Sequence, residues 1–404
     1  MTMTATTKST EFIQQEDQYG AHNYHSLDVV CTRGEGVYLT DVDGKQYMDF
    51  LAAYSAVNQG HNHPRIAAAM IQQIQTLALT SRAFRNDRFP PLLEKLCKIT
   101  GFAKALLMNS GAEAVETAIK GIRKWAYDVK GVAPGQAEII VAEGNFHGRT
   151  TTIVGFSTDP DSTTGFGPFT PGFRIVPYGD LKAVAAAITP NTAAIFMEPI
   201  QGEGGVLIPP AGFLKGLRKL ADDNHCLLVL DEIQSGFGRT GKMFAFEHEG
   251  IRPDGITVGK ALSGGFYPVS AFLSSKEVMD VFTPGIHGST YGGNPLACAV
   301  ATAALDVLID EHLVERSAEL GLHFKARLEG IKSKKVKAIR CRGLWAGIDL
   351  TDDAGPAKSY CYALKERGML CKDTHVRTIR LAPPLVITKE QIDWAVDQLE
   401  AVLA

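Results

Sequence analysis

One lysine of this chain stands where an apolar run ends. Lys260 follows the run 256–259 and precedes the small residues of 261–265. Such a run is typical of a short buried strand that ends in a tight turn. Most lysines in such places extend the ammonium into solvent. A desolvated lysine instead has a lowered pKa, and its neutral amine is a nucleophile suited to Schiff-base chemistry. Residues elsewhere in the chain must decide between these two interpretations.

A carboxylate ends the longest of the apolar runs. Asp231 follows the run 226–230, and Gln234 comes shortly after it. We expect Asp231 to be largely buried, which is unfavourable for a carboxylate unless it pairs with a cation. The N–H of a pyridinium ring would be such a partner.

A capped helix follows another apolar run, at residues 105–108. Ser110 and Glu113 have the spacing of a capping box, with Gly111 and Ala112 between them. A strand-to-helix turn of this kind exposes backbone N–H groups at the positive end of a helix dipole, where a phosphate binds well. The simpler interpretation is a well-capped helix with no ligand.

Three further segments carry polar groups. The segment 145–149, after the run 139–142, holds Phe146 and Arg149, which could stack on a planar ring and bind a carboxylate; a loop with a surface arginine is the plainer alternative. The segment 198–205, after the run 194–197, places two carboxylates in a glycine-rich turn. Hydroxyl groups in the segment 287–294 offer another phosphate contact.

Together these groups describe a pocket for pyridoxal phosphate (PLP). They supply a phosphate cradle, a stacking aromatic ring, a buried aspartate and a nucleophilic lysine. In this hypothesis Lys260 forms the Schiff base, and Asp231 keeps the ring nitrogen protonated so that the ring accepts electrons. Once the substrate amine displaces it, Lys260 becomes the base that moves the substrate proton.

The elements that must position these groups are predicted from the hydrophobic pattern. Between residues 100 and 275, continuous apolar runs alternate with helix-like segments, which indicates a doubly wound, mostly parallel α/β sheet. Ligands of such sheets bind beyond the carboxyl ends of the strands. After a long amphipathic stretch over 295–328, strand-like pieces and a final helix predict a smaller α+β domain. We predict an N-terminal segment (1–53) packing with the small domain, a large PLP-binding domain (54–300) and a small C-terminal domain (301–404).

Composition excludes several classes of function. The 404 residues are 45% hydrophobic and 21% charged, with a net charge of −3, so no broad attraction to nucleic acid or anionic membranes is expected. The seven cysteines are scattered without a C-x-x-C pair, which argues against a zinc site or a disulfide framework. The polar N-terminus resembles neither a signal nor a transit peptide, and no long apolar stretch exists, so we expect a cytoplasmic protein without a metal site.

Several motifs resemble the class III, fold-type I PLP-dependent aminotransferases, over nearly the whole chain. Within the class they are most similar to the members that act on ornithine. The motifs are YGAHNY at 19–24, AYSAVNQGH at 53–61, NSGAEA at 109–114, NFHGR at 145–149, EPIQGE at 198–203, LDEIQ at 230–234, GSTYGGNP at 288–295 and IRLAPP at 379–384.

The resemblance implies a role for each cofactor-binding residue. The capped turn at 110–112 is expected to bind the phosphate of PLP. Phe146 is expected to stack on its ring, Asp231 to meet the ring nitrogen, and Gln234 to lie near the phenolic oxygen. A threonine reaches the phosphate held by a partner subunit, so a homodimer with active sites at its interface is expected. His147 receives no role. The full set is Ser110, Gly111, Ala112, Phe146, Asp231, Gln234, Lys260 and Thr290.

The resemblance also implies a substrate site. Tyr24 and Arg149 are expected to hold the α-amino and α-carboxylate groups of ornithine, and Tyr54 to shape the pocket. Glu203 is expected to pair with Arg380 while ornithine is bound, and to release it to the α-carboxylate of 2-oxoglutarate.

The activity implied is transfer of the δ-amine of L-ornithine to 2-oxoglutarate. It gives glutamate and glutamate 5-semialdehyde, which cyclises to pyrroline-5-carboxylate, and it would connect arginine metabolism with proline biosynthesis. Three alternatives stay open at this point: an N-acetylornithine or 4-aminobutyrate aminotransferase, a PLP aminomutase or racemase, and a PLP-binding protein without catalysis.

Overall fold

The strands of this protein form three sheets in the computed structural model, which describes residues 7–404. The strands in chain order are β1 (Cys31–Glu35), β2 (Tyr38–Asp41), β3 (Gln46–Asp49), β4 (Lys104–Met108), β5 (Glu138–Ala142), β6 (Phe173–Val176), β7 (Thr192–Met197), β8 (Leu227–Asp231), β9 (Gly255–Val258), β10 (Ser270–Ser274), β11 (Val336–Cys341), β12 (Ala346–Leu350), β13 (Met369–Leu370), β14 (Lys372–Thr374) and β15 (Thr378–Leu381).

Helices lie between most of these strands, and all the long helices except the first, Lys8–Tyr19, have buried residues. The helices of seven residues or more are Lys8–Tyr19, Pro64–Ile74, Phe89–Thr100, Gly111–Trp125, Leu181–Ala187, Phe213–Asp223, Pro295–Asp310, Leu313–Glu329, Ala357–Glu366 and Lys389–Leu403. Within the described residues no helix is long and apolar enough to cross a membrane.

The central sheet has the strand order β4-β10-β9-β8-β7-β5-β6. Neighbours from β9 to β6 pair in parallel, and β10 runs antiparallel to both β4 and β9. Every residue of β7, β8, β9 and β10 is buried, as expected for strands covered on both faces. The prediction of a large, mostly parallel α/β sheet is confirmed. The antiparallel strand β10 was not predicted, because its five residues begin and end with serine.

Two four-stranded sheets lie outside the central one. The order β11-β12-β15-β14 is formed by the C-terminal part of the chain, and β1-β2-β3-β13 combines N-terminal strands with a late strand. The amphipathic stretch predicted over 295–328 is two helices, separated at His312, whose φ is 50°. The proposed domain boundaries stay predictions; the one at 300/301 lies inside the helix Pro295–Asp310.

The parallel strands end at one common edge of the central sheet. Because β5, β7, β8 and β9 point the same way, the residues that follow them are brought together there. The helix Gly111–Trp125, which follows β4, begins beside the same edge and packs against the sheet through Val115, Ala118 and Ile122.

Candidate active site

A cavity of about 190 Å³ lies at this edge of the sheet. Six of its lining residues were predicted for the site, and six others, among them the ionisable His147 and Glu198, complete the wall. The lining residues are Gly111, Ala112, Phe146, His147, Gly148, Glu198, Ile200, Asp231, Ile233, Gln234, Ser235 and Lys260.

Lys260 extends into this cavity from a strained position. It follows β9 and opens the 3₁₀ turn Lys260–Ser263, with a φ of 43°, in the left-handed region that side-chain-bearing residues rarely adopt. Desolvation lowers the pKa of its ammonium group, and the negative charges of Glu203 and Asp231 oppose that shift only in part. The site therefore favours the neutral, nucleophilic amine more than water does.

Asp231 ends β8 and is held from several sides. His147 Nδ1 lies 2.6 Å from Asp231 Oδ2 and donates to it, while Asp231 Oδ1 accepts from the Thr257 hydroxyl and the Ile233 N–H, each at 3.0 Å. His147 is itself buried, with its ring 4.6 Å from that of Phe196. These three donors hold the carboxylate in one orientation at the wall of the cavity. The sequence had left His147 without a role.

Glu198, one of the two carboxylates noted in the segment 198–205, lines the cavity, although the sequence had assigned it no role. It follows β7, and the pairing of Met197 with Leu230 places it beside Asp231. Its Oε2 accepts the N–H of Phe146 at 3.1 Å. Burial raises the pKa of this carboxyl group to about 7, and the charge of His147 opposes the rise. Its place directly after a buried strand is the signal by which it could have been found.

The turn after β4 forms the predicted capping box. Ser110 Oγ accepts the Glu113 N–H at 3.2 Å, and a Glu113 carboxylate oxygen accepts the Ser110 N–H at 2.7 Å. Ser110 is therefore engaged in the cap, and Gly111 and Ala112 are the residues of this turn that line the cavity. The closest atom to a side chain added at Gly111 would be Ile233 Cδ1, at 3.1 Å, so the approach is tight.

Gln234 is almost completely buried, and its Nε2 has no hydrogen-bond partner among residues 7–404. A Cβ at Gly202 would lie 1.9 Å from the side-chain oxygen of Gln234, so only glycine at 202 leaves room for this amide. An unpaired buried donor at a cavity wall is unfavourable unless a ligand accepts from it.

Arg380 and Glu203 form an ion pair next to the cavity. Arg380 Nη1 lies 2.6 Å from Glu203 Oε1, and Arg380 Cζ lies 4.8 Å from the centre of the Tyr54 ring. The backbone around Glu203 is anchored separately, since Thr374 Oγ1 donates to the Glu203 carbonyl at 2.5 Å and Arg340 donates to the Gly205 carbonyl at 2.8 Å. The Glu203 side chain can therefore move while its backbone stays in place.

Seven predicted residues do not line the cavity. Tyr24 is 69% exposed, Thr290 is exposed, and Arg149 is exposed with its guanidinium carbon 5.9 Å from the Phe146 ring centre. The other four are Ser110, Tyr54, Glu203 and Arg380; Ser110 adjoins Gly111, and the charges of Glu203 and Arg380 act on Lys260. The functional roles of all these residues stay predictions.

Comparison with known proteins places the chain among aminotransferases. The family described as aminotransferase class-III matches residues 19–403. The chain is 59% identical to the ornithine aminotransferase of Bordetella pertussis over 389 residues, which cover 96% of this chain and 94% of that protein.

Two solved structures extend this similarity to the fold. An ornithine aminotransferase from Toxoplasma gondii, with PLP at partial occupancy in its active site, has a TM-score of 0.96 and 44% identity, covering 99% of this chain and 95% of that one. An acetylornithine aminotransferase from Elizabethkingia anophelis has a TM-score of 0.90 and 53% identity, covering 98% of each chain.

Proposed function

Because this chain belongs to the aminotransferase class-III family, we propose that the cavity around Lys260 is its active site and that it moves the δ-amine of L-ornithine to 2-oxoglutarate. The chain is a PLP-dependent aminotransferase whose substrates are ornithine and a keto acid. The proposed products are glutamate and glutamate 5-semialdehyde, which cyclises to pyrroline-5-carboxylate. The observation that carries the choice of the δ-amine is the neutralised arginine beside the cavity, Arg380 paired with Glu203.

The residues of the cavity fit PLP. The start of the helix Gly111–Trp125 suits its phosphate, the unpaired Nε2 of Gln234 suits its phenolic oxygen, and the carboxylate of Asp231 suits its ring N–H. Phe146 lines the wall where a planar ring would stack, and Lys260 supplies the amine for covalent attachment. When bound, PLP supplies an aldehyde that takes up amino groups and a ring that withdraws electrons from the adjoining carbon.

Lys260 has two tasks in this site. Its amine would attach the cofactor in the resting enzyme, and once free it would take the proton from the δ carbon of ornithine. Both tasks require a neutral Nζ, which the lowered pKa of Lys260 supports. Two hydrogen bonds hold the backbone on either side of Lys260. Ser263 Oγ donates to the Lys260 carbonyl at 3.3 Å, and the Leu262 N–H donates to the Gly259 carbonyl at 2.9 Å.

Asp231 acts as a fixed negative charge. The hydrogen bonds from His147, Thr257 and Ile233 hold its carboxylate in one orientation before any ligand arrives. A preorganised charge of this kind stabilises a proton on the ring nitrogen without reorganisation during the reaction. His147 therefore acts through Asp231, as a positioning residue.

Substrate choice depends on two arginines. Arg149 has no carboxylate partner within residues 7–404, and it is available to bind the carboxylate of ornithine farthest from the reacting amine. Tyr24 is the residue proposed to contact the α-amino group of ornithine. For 2-oxoglutarate, Arg380 would take the α-carboxylate after Glu203 turns away, and Arg149 would take the distal one.

A homodimer is the proposed assembly. Exposed apolar side chains cluster where two segments meet: the Asn86 side chain donates to the Gly293 carbonyl at 3.3 Å, and the Leu296 N–H to the Ala78 carbonyl at 3.5 Å. A patch of this kind marks an interaction surface. Thr290 lies in the same region, outside its own cavity, which agrees with a contact to the phosphate in a partner subunit. The exposed side chains are Leu77, Leu79, Phe84, Ile286 and Tyr291. Light scattering should give twice the chain mass.

The acetylornithine aminotransferase of E. anophelis supports a second candidate, because its identity to this chain is high. Acetylation removes the positive charge of the α-amine and adds bulk at the position proposed for Tyr24. 4-Aminobutyrate, the other alternative, has no α-amine, and its carboxylate lies one carbon nearer the reacting amine than that of ornithine.

Substrate profiling tests these assignments directly. Ornithine, N-acetylornithine and 4-aminobutyrate are compared as donors, with 2-oxoglutarate as acceptor and glutamate as the measured product. We expect kcat/KM for ornithine to exceed the values for the other donors by about a hundredfold or more. A substrate that lacks the charged α-amine would leave the polar groups of the site that bind it without a partner. A higher kcat/KM with N-acetylornithine would replace the proposal by the second candidate.

A further inference from the structure

Four consecutive residues near the active site have left-handed backbones. The φ angles of Ala52, Ala53, Tyr54 and Ser55 are 48°, 47°, 58° and 72°, and ψ is 49° at Ala53 and 43° at Tyr54. Only glycine adopts this conformation without steric cost, and L residues normally visit it singly. None of the four is glycine, so residues 52–55 form a short left-handed turn that stores backbone strain.

The surrounding structure holds this turn in place. Asp49 Oδ1 accepts the N–H groups of Leu51 and Ala52 at 2.7 and 3.0 Å, and His61 Nε2 lies 2.8 Å from the other oxygen of Asp49. Hydrogen bonds from the Tyr54 N–H to the Leu51 carbonyl (3.0 Å) and from the Val57 N–H to the Ala52 carbonyl (3.1 Å) close the turn. Strained backbone persists only where neighbours over-determine it in this way, and it concentrates at functional sites.

The turn also leaves a buried polar atom unpaired. The hydroxyl of Ser55 has no hydrogen-bond partner among the described residues, although the residue is only 1% exposed. The backbone of Phe50, two residues before the turn, is tied to the end of the strand that carries Arg380, because the N–H of Ala382, which follows that strand, donates to the Phe50 carbonyl at 2.7 Å. The turn therefore combines two destabilising features, a left-handed backbone and an unpaired buried hydroxyl.

The turn aims Tyr54 at Arg380. The ring covers the guanidinium at 4.8 Å, while Glu203 pairs with one of its nitrogens. Tyr54 is the third of the four left-handed residues, so a right-handed or extended backbone would point its side chain elsewhere. Arg380 is almost fully buried, and both the Tyr54 ring and the Glu203 carboxylate contact its guanidinium.

We infer that the left-handed turn at residues 52–55 is a specificity-determining element, which fixes Tyr54 over Arg380 so that only a carboxylate that displaces Glu203 reaches the guanidinium. The inference deepens the proposed function and rests on it, because it assumes that Arg380 receives the carboxylate of α-amino acid substrates. Ala53 is the positioning residue that tests it. Its side chain is exposed and its φ is 47°, so Ala53→Gly relieves strain without removing packing.

The experiment compares Ala53→Gly with Ala56→Gly, a matched change at a right-handed position with a φ of −79°. In protein freed of PLP, we expect the unfolding midpoint to rise by about 1–2 °C for Ala53→Gly and to fall for Ala56→Gly. With PLP restored, Ala53→Gly should lower the ratio of ornithine to glutamate half-reaction rates by about threefold to tenfold, because Tyr54 is held less firmly. Ala56→Gly should leave this ratio unchanged.

Each other outcome overturns the inference. A lower unfolding midpoint for Ala53→Gly would mean that the turn is not strained, and a raised midpoint with an unchanged ratio would mean that the strain does not serve substrate choice. A third variant, Tyr54→Ala, tests whether the turn acts through the Tyr54 side chain. If Ala53→Gly changes the ratio of half-reaction rates equally when Tyr54 is replaced by alanine, the turn does not act through Tyr54. Lack of ornithine turnover in the unmodified enzyme would instead refute the proposed function, while the unfolding comparison would still test the strain.

Discussion

Arg380 Nη1 lies 2.6 Å from Glu203 Oε1, but the two side chains differ in freedom. The arginine side chain is 2% exposed and the glutamate side chain 30% exposed. Arg380 also donates to the Gly202 carbonyl at 3.4 Å and has the Tyr54 ring against it. The arginine is therefore fixed and the carboxylate is the partner that can leave, as an exchange between Glu203 and a substrate carboxylate requires.

Glu203→Ala should reverse the preference between the two amino acid substrates. Without its internal partner, Arg380 binds the α-carboxylate of glutamate with no competitor, so the glutamate half-reaction should accelerate by about tenfold or more, the value of a charged hydrogen bond. The ornithine half-reaction should slow, and some transfer from the α-amine of ornithine should appear. Stopped-flow absorbance with each amino acid measures both rates. Glu203→Gln keeps the shape of the side chain and loses its charge. Its rates should lie between those of Glu203→Ala and those of the unmodified enzyme. Equal slowing with both substrates would identify the pair as purely structural.

Lys260→Ala should abolish turnover while the fold is retained. A general base contributes up to about 10⁴-fold, and this lysine is also the proposed attachment point, so activity should fall by at least that factor. Borohydride treatment followed by peptide mapping should find the pyridoxyl group on Lys260 in the unmodified enzyme and on no lysine in the variant. Lys120, a lysine outside the cavity, serves as the control through Lys120→Ala, which should keep the label on Lys260. A pyridoxyl group on another lysine of the unmodified enzyme would refute the assignment.

Asp231→Asn should leave the protein folded and slow its chemistry by about a hundredfold or more, because a neutral amide cannot hold a proton on the ring nitrogen. Single-turnover rates with ornithine measure the effect, and the unfolding midpoint checks the fold. Thr257→Val removes one hydrogen bond to the same carboxylate and should cost about tenfold or less. If single-turnover rates of Asp231→Asn match those of the unmodified enzyme, Asp231 is only a satisfied buried acid.

Glu198→Gln should change how stability depends on pH. Burial raises the pKa of Glu198 from 4.5 to about 7, so between these values the folded protein keeps a proton that the unfolded chain has released. The unmodified protein therefore loses stability as pH rises through this window, by up to about 1.4 kcal/mol per pH unit. The Glu198→Gln variant can still accept the Phe146 N–H, and its stability should not fall in this way as the pH rises.

Denaturant unfolding of the PLP-free proteins at pH 5 and pH 8 measures this difference. We expect Glu198→Gln to gain stability relative to the unmodified protein at pH 8 and to match it more closely at pH 5. Glu319→Gln, at an exposed position, is the control for removal of a carboxylate. A stability difference that stays constant with pH would mean that Glu198 is ionised in the folded protein throughout.

The hydrophobic pattern was enough to predict a mostly parallel central sheet and which residues follow several of its strands. Continuous apolar runs identified β5, β7 and β8, and in parallel strands the residues after each run must meet at one edge. Asp231 and Lys260 were therefore predicted to lie near each other from local pattern alone, and both line the cavity. The family was also evident from the motifs, because each of them is a continuous stretch of chain.

Contacts between distant parts of the chain were decided only by the tertiary structure. The pairing of His147 with Asp231 joins loops after two different strands, and no local pattern specifies which side chain completes the hydrogen bonds of a buried carboxylate. The raised pKa of Glu198 depends on burial by several elements at once. The left-handed turn at residues 52–55 contradicts the intrinsic preference of every residue in it, and it exists because Asp49, His61 and the adjoining strands hold it. Sequence determines what each segment prefers; tertiary contacts decide where that preference is overridden, because the strain is offset only by interactions formed when the whole chain is folded.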